Sequence, residues 1–257
     1  MITTWAKAVA SLSLPAGISE AIFTSKRGID VDYSSLDYEI HVATLNEEQY
    51  IEETLDSLAL QEPVQNGDVP IVLIDSNSDD RTVELARPYV DEVIHAPKGL
   101  MTARNKGVAV RDPDVILSAD AGDVYAKGWV DELAKPFERK NVVATYGNIY
   151  SKDELHIRKQ KMKHAIVNTW NLPGNNSGIR VSALKKSGGF DEDIDQQELV
   201  EVLLEEQIFK KIELSTLGKI VYRPYAAMYK SQRRKSEGMT TEENKEYKQQ
   251  MENGERF

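Results

Sequence analysis

"EIHVATLNEEQYIEETLDSL", residues 39–58, changes its period once. The first six residues form a short apolar run of strand character, and Ile51, Leu55 and Leu58 then recur at helical spacing. Between them lies a polar break at Thr44-Leu45-Asn46. Asn46, with Gln49 three residues on, reads as a capping-box pair that would open the helix.

Working outward, the same alternation repeats. "PIVLID" leads into a Ser/Asn/Asp turn and a second helix carrying Val83, Leu85 and Ala86. "EVIH" follows, then a third helix near Ala103 to Val110, then "DVILSAD". Repeated strand-helix-strand units predict an α/β fold with a mostly parallel, doubly wound sheet flanked by helices and joined by right-handed crossovers. Ligands of such sheets bind beyond the carboxyl ends of the strands. Each run here ends in polar residues: Thr44 to Asn46, Asp75 to Asn77, and Asp120 to Asp123. After Asp123 the order loosens. A helix through Trp129, Leu133 and Phe137, the strand "VVATYG", a turn and strand in "PGNNSGIRV", a long helix from Gln197 to Leu217 and a short strand "KIVYRP" are predicted. Residues 1–36 read as an N-terminal extension that packs on a domain of residues 37–235, and 236–257 as a polar C-terminal tail.

Composition narrows the function. The 257 residues carry a net charge of −10 and a pI near 5.1, which disfavours nucleic acid as a partner because phosphate neutralisation needs a basic face. There is no cysteine, so disulfides, thiolate metal sites and a cysteine nucleophile are excluded. The longest apolar runs are far shorter than the ~20 residues of a membrane span, and the start lacks signal-peptide character. A soluble, cytoplasmic protein is expected. A basic segment from Lys152 to Lys163 is compatible with peripheral contact at a membrane surface and equally with a solvated helix face.

Three stretches bear chemistry. In "IDSNSDDRT", residues 74–82, an aspartate at a strand end followed by Ser76, Asn77 and Ser78 can accept from a base or ribose while the turn caps the next helix. "GLMTARNKGVA", residues 99–109, sets Arg104 near a helix start, where a guanidinium can meet a diphosphate. "SADAGDVY", residues 118–125, offers Asp120 and Asp123 to a hard cation, which wants carboxylate oxygens and completes its shell with substrate phosphates. Each alone has a plain alternative as a turn or a solvated charge. The four histidines lack metal-ligand spacing, and structural roles are expected for His41 and His95 in their strands. A P-loop, GxGxxG and GxSxG are absent.

Taken in order, these stretches resemble glycosyltransferase family 2, the nucleotide-sugar transferases with the GT-A fold. "VATLNEEQYIEETLDSL", "VLIDSNSDDRTVELA", "GLMTARNKGVA", "ILSADAGDVYAKGWVDEL", "GNNSGIRVSALKKSGGFDE" and "EEQIFKKIELSTLGKIVYRP" follow the family order from Glu39 to about Ser236. The resemblance implies a hexosyltransferase that moves a sugar, with inversion, from a nucleoside diphosphate sugar to an acceptor hydroxyl, using Mg²⁺ or Mn²⁺. The donor would be UDP- or GDP-linked and the acceptor a saccharide or a lipid phosphate. By the same resemblance Thr44, Glu47, Asp75 and Asn77 lie where the nucleotide is held, Arg104 where the diphosphate is approached, and Asp120 at the first aspartate of the metal motif. The second motif aspartate falls on Gly122, with Asp123 as the nearest replacement for the metal. The family's Glu-Asp base falls on Glu206-Gln207, leaving Glu206 or Glu205 as catalytic base. Two altered positions keep a second reading open: a non-catalytic sugar-nucleotide or glycan-binding module derived from this fold.

Overall fold

The structure is a computed structural model that describes residues 29–150, 172–192 and 211–230, with side chains in the last segment from Leu214 onward. The expected extension before Ile29, the basic segment, most of the Gln197–Leu217 helix and the tail lie outside the described residues.

Eight strands form one sheet in the order β3-β2-β1-β4-β7-β6-β8-β5. They are β1 (Tyr38–Thr44), β2 (Ile71–Asp75), β3 (Glu92–His95), β4 (Val115–Asp120), β5 (Asp123–Tyr125), β6 (Val142–Tyr150), β7 (Ser177–Arg180) and β8 (Lys219–Lys230). Helices α1 (Ile51–Ala59), α2 (Glu62–Gln65), α3 (Thr82–Ala86), α4 (Leu100–Arg111), α5 (Trp129–Ala134), α6 (Val181–Lys186) and α7 (Lys211–Leu217) pack around it. The α/β architecture is the expected one. Strands β3, β2, β1 and β4 are all parallel, and β1 and β2 are buried along their whole length, as parallel strands covered on both faces must be. The second half is mixed, because β7 runs antiparallel to both β4 and β6 and β5 antiparallel to β8.

Two apolar clusters sandwich the sheet. One holds Ile40, Val42, Leu55, Leu117, Trp129 and Phe137 on the α1 and α5 side. The other joins Met101 and Val108 of α4 to Ile116, Ile179, Tyr146 and Leu184. At the near edge of the first cluster, Tyr33 packs its ring on Tyr38 and donates its hydroxyl to Asp131 at 2.7 Å. Among the described residues no helix is long and apolar enough to cross a membrane.

Three elements differ from the sequence reading. The capping box does not form: α1 begins at Ile51, while Asn46 sits at φ 54° and its side chain accepts the Asp79 N–H at 2.9 Å. Asn46 therefore joins two loops rather than opening a helix, a use open to Asn because it tolerates the left-handed region. The helix through Phe137 changes to a 3₁₀ turn over Lys135–Glu138, where Pro136 lacks the N–H that an α-turn would use. The last strand runs on past Pro224 to Lys230: register jumps from Gly147↔Arg223 to Asn148↔Ala227, so the proline sits in a bulge and pairing resumes beyond it.

Beneath β1, Glu39 is buried and ties the sheet to α4. Arg111 donates to its Oε1 from Nε at 2.9 Å and Nη2 at 2.6 Å, and His41 meets its Oε2 at 2.9 Å. Burial pushes the Glu39 carboxyl up, but the bonds from His41 and Arg111 outweigh it and hold it below the usual glutamate range. A carboxyl lowered in the folded state contributes stability above its unfolded pKa of about 4 and loses it as pH falls through the folded value. Without Arg111 burial weighs more heavily against the charged carboxylate and the Glu39 pKa rises, so Arg111→Met should lose less stability than the parent as pH falls, the gap between them being widest near neutral pH and narrowing in acid. It should also cost about 2 kcal/mol at neutral pH, discounted from a fully buried pair because Arg111 is one-third exposed. Melting curves across about pH 3 to 7 read both, and a profile identical to the parent would contradict the role given to this cluster. Gly122 turns the chain between β4 and β5 at φ 88° and gives its N–H to the Thr54 hydroxyl at 2.9 Å. Gly122→Ala should therefore cost about 1–2 kcal/mol in denaturant unfolding, and an unchanged midpoint would contradict that strain.

Candidate active site

The carboxyl ends of the four parallel strands make one edge. In register, Thr44 lies beside Asp75 and Asp75 beside His95, while Ala43 lies beside Asp120. Backbone bonds from Ser76 to Thr44, Ala96 to Asp75 and Ala121 to Ala43 hold the ends level at 2.8–3.0 Å. The row from Asp120 to His95 crosses three strand spacings, roughly 14 Å.

At one end stands Asp120. Arg104, in the second turn of α4 and 3% exposed, sets Nη2 against Asp120 Oδ1 at 2.6 Å. Gly174 makes room for this arginine, since a Cβ there would come within 2.5 Å of Nη1. The second Asp120 oxygen has no partner among the described residues. Asp123 is buried on β5, the next strand in sequence, where Asn175 donates to its Oδ2 at 2.8 Å. Tyr125 ties the Asp120 and Asn175 backbones together: its hydroxyl accepts the Asp120 N–H at 2.9 Å and donates to the Asn175 backbone carbonyl at 3.1 Å. Burial, then the charges of Asp123 and Asp120, push the Tyr125 hydroxyl well above the usual tyrosine range, so it stays protonated and keeps donating.

At the other end Asp75, 2% exposed, accepts the Ser78 N–H at 3.2 Å and meets His95 Nδ1 at 3.1 Å. Asn77 turns outward at φ 66°. Thr44 is buried, and its hydroxyl has no partner among the described residues. Glu47 is buried beside this end and gives its N–H to Thr82 Oγ1 at 2.7 Å.

Of the residues singled out in the sequence, Thr44, Asp75, Asn77, Glu47, Arg104, Asp120 and Asp123 thus gather along one edge, in two groups. Glu205 and Glu206 lie outside the described residues. Sequence reasoning missed His95, taken as structural, although "EVIH" ends in a polar residue as the other strands do. It also missed Asn175 and Asn176, which lock the far side: Trp129 Nε1 donates to Asn176 Oδ1 at 2.7 Å, and Asn176 Nδ2 donates to the Asn148 and Ala226 carbonyls.

Among the described residues no three His, Asp or Glu side chains come together to hold a metal. A hard cation that shares its shell with a ligand's phosphates needs only one or two carboxylates, and Asp120 with its second oxygen unpartnered among the described residues fits that requirement.

The family model described as glycosyl transferase family 2 matches residues 39–191. No curated protein matches the chain. Solved structures with the same fold include the mannosyltransferase PcManGT from Pyrobaculum calidifontis in complex with GDP-Man and Mn²⁺, at 17% identity and TM-score 0.61, over 88% of this chain and 63% of that one. Another is TarS 1-349 of S. aureus in complex with UDP-GlcNAc, at 19% identity and TM-score 0.58, over 76% and 58%. A third is glucosyl-3-phosphoglycerate synthase from Mycobacterium tuberculosis with Mn²⁺, UDP and phosphoglyceric acid, at 15% and 0.51, over 75% and 69%. The chain spans less than two thirds of the length of the first two, and at these identities the likeness is one of GT-A fold. With the family model covering residues 39–191 of 257, the chain belongs to glycosyl transferase family 2.

Proposed function

We propose that this protein is an inverting, cation-dependent hexosyltransferase that moves a sugar from a UDP- or GDP-linked donor to an acceptor hydroxyl. The observation that carries the reading is the Arg104–Asp120 pair at 2.6 Å, a buried cation beside a carboxylate at the ligand edge of the sheet. The base and ribose of the donor would lie over Thr44, Asp75 and Asn77, with Glu47 beside them, and the diphosphate would reach Arg104. A guanidinium already held in place stabilises charge that grows on the departing diphosphate without reorganising at the moment of reaction. When bound at Asp120 and Asp123, Mg²⁺ or Mn²⁺ would add Lewis-acid stabilisation of the same leaving group.

Glu206, or its neighbour Glu205, would take the proton of the acceptor hydroxyl, which then attacks the anomeric carbon in a single displacement, forming the new C–O bond as the bond to the diphosphate oxygen breaks. The adjacent Gln207 is an amide and does not accept that proton. The structural neighbours solved with GDP-Man and Mn²⁺, with UDP and Mn²⁺ and with UDP-GlcNAc support this donor class and cation. The reading places the protein in the cytoplasm, where a lipid-phosphate acceptor at the membrane surface would suit the basic segment from Lys152 to Lys163.

Two variants separate donor binding from chemistry. Asp120→Asn should weaken Mn²⁺-dependent UDP or GDP binding by about tenfold or more, since a hydrogen-bonded charge at a buried site is worth over 1 kcal/mol. Titration calorimetry that finds parental affinity would contradict the donor site. Glu206→Gln should spare that affinity while lowering sugar transfer, and parental turnover would move the base elsewhere.

A further inference from the structure

The carboxyl edge of the sheet ends at His95, which the donor reading above leaves without a role. Thr44, Asp75 and His95 form one register row, and residues in one row share a face. The Asp75 side chain is 2% exposed, whereas the His95 ring is 64% exposed on an outer strand of the sheet. Nδ1 of that ring meets Asp75 Oδ2 at 3.1 Å, and the Ser78 N–H reaches both oxygens of the same carboxylate at 3.2 and 3.3 Å. Nε2 has no partner among the described residues.

A carboxylate only accepts hydrogen bonds, so Nδ1 carries the proton of this contact. The bond made by one imidazole nitrogen sets the state of the other, and in the neutral ring Nε2 is then an acceptor. Asp75 thus holds a lone pair in a fixed state at the open end of the ligand edge. Burying a carboxylate costs free energy that a solvated partner recovers poorly, which points to a use beyond stability.

Resting on the transferase reading above, we propose that His95 reads the nucleobase of the donor: Nε2 accepts the ring N–H of uracil at N3 or of guanine at N1, and Asp75 acts through it as a positioning residue. A nucleoside diphosphate laid along the edge with its diphosphate at Arg104 brings its base to this end of the row. Cytosine and adenine carry a lone pair at the equivalent ring nitrogen, and a lone pair set against Nε2 leaves both unsatisfied. The contact therefore favours UDP or GDP over CDP or ADP by polarity rather than by shape.

Titration calorimetry on the full chain with Mn²⁺, at about pH 8 where an ordinary histidine ring is neutral, compares UDP with CDP and GDP with ADP. The wild-type protein should prefer UDP or GDP in at least one pair by about tenfold. His95→Ala should remove most of that preference, weakening the UDP or GDP complex about fivefold or more and sparing CDP or ADP. Asp75→Asn should reverse it: the amide oxygen keeps the Ser78 N–H, the amide nitrogen donates to Nδ1, and Nε2 becomes a donor suited to a base lone pair. A role confined to stability would not invert a base preference. Nitrogen NMR spectra of the histidine rings, assigned by the signal lost in His95→Ala, should show Nδ1 protonated in the free wild-type protein and an Nε2 shift on adding UDP or GDP. Equal or inverted affinities within both pairs in the wild type, or a preference that either variant leaves intact, would overturn the assignment and spare the transferase reading. Failure of all four nucleotides to bind would overturn the transferase reading and the role of His95 with it. The wild-type spectra and His95→Ala decide the matter even if Asp75→Asn does not fold.

Discussion

Arg104 brings a full positive charge into the interior, and Asp120 answers it at 2.6 Å. Removing either charge from water costs several kcal/mol, recovered only where the geometry is good. That requirement constrains much around it. α4 must approach β4 closely, Gly174 must lack a side chain to admit the guanidinium, and the turn after β4 must carry the chain away without lifting Asp120 from its partner. Gly122 meets the last demand with a left-handed backbone that a β-carbon would strain. Gly122 is therefore part of the turn that keeps Asp120 in place.

The rest of the edge is organised by strand ends and by amides. Thr44, Asp75 and His95 stand side by side because β1, β2 and β3 are parallel and in register. On the other side, antiparallel β7 brings Asn175 and Asn176 back toward the same edge, where they fix Asp123 and Trp129. The parallel half thus offers acceptors at its strand ends, and the antiparallel half closes the site from the flank.

The parallel half was legible because its signal is local. Apolar runs such as "PIVLID", each set between a polar break and helical spacing, report buried strands and their carboxyl ends; Asp75 and Asp120 stood out that way, and Arg104 by its place near a helix start. What escaped depends on contacts distant in sequence. Asn46 looked like a helix cap, yet its partner is Asp79, 33 residues on. His95 acquires a site position only once β3 is known to lie beside β2. Asn175 and Asn176 serve residues about 50 positions earlier, and β8 seemed to end at Pro224 because nothing local says that pairing resumes beyond a bulge.

The central claim is that the Arg104–Asp120 pair marks the diphosphate end of a donor site. A crystal structure of the full chain grown with UDP or GDP and Mn²⁺ tests it most directly. The account requires the nucleoside over Asp75 and the diphosphate against Arg104, with the cation between its oxygens and Asp120. Nucleotide bound elsewhere on the surface, with Arg104 and Asp120 still closed on each other, would contradict it.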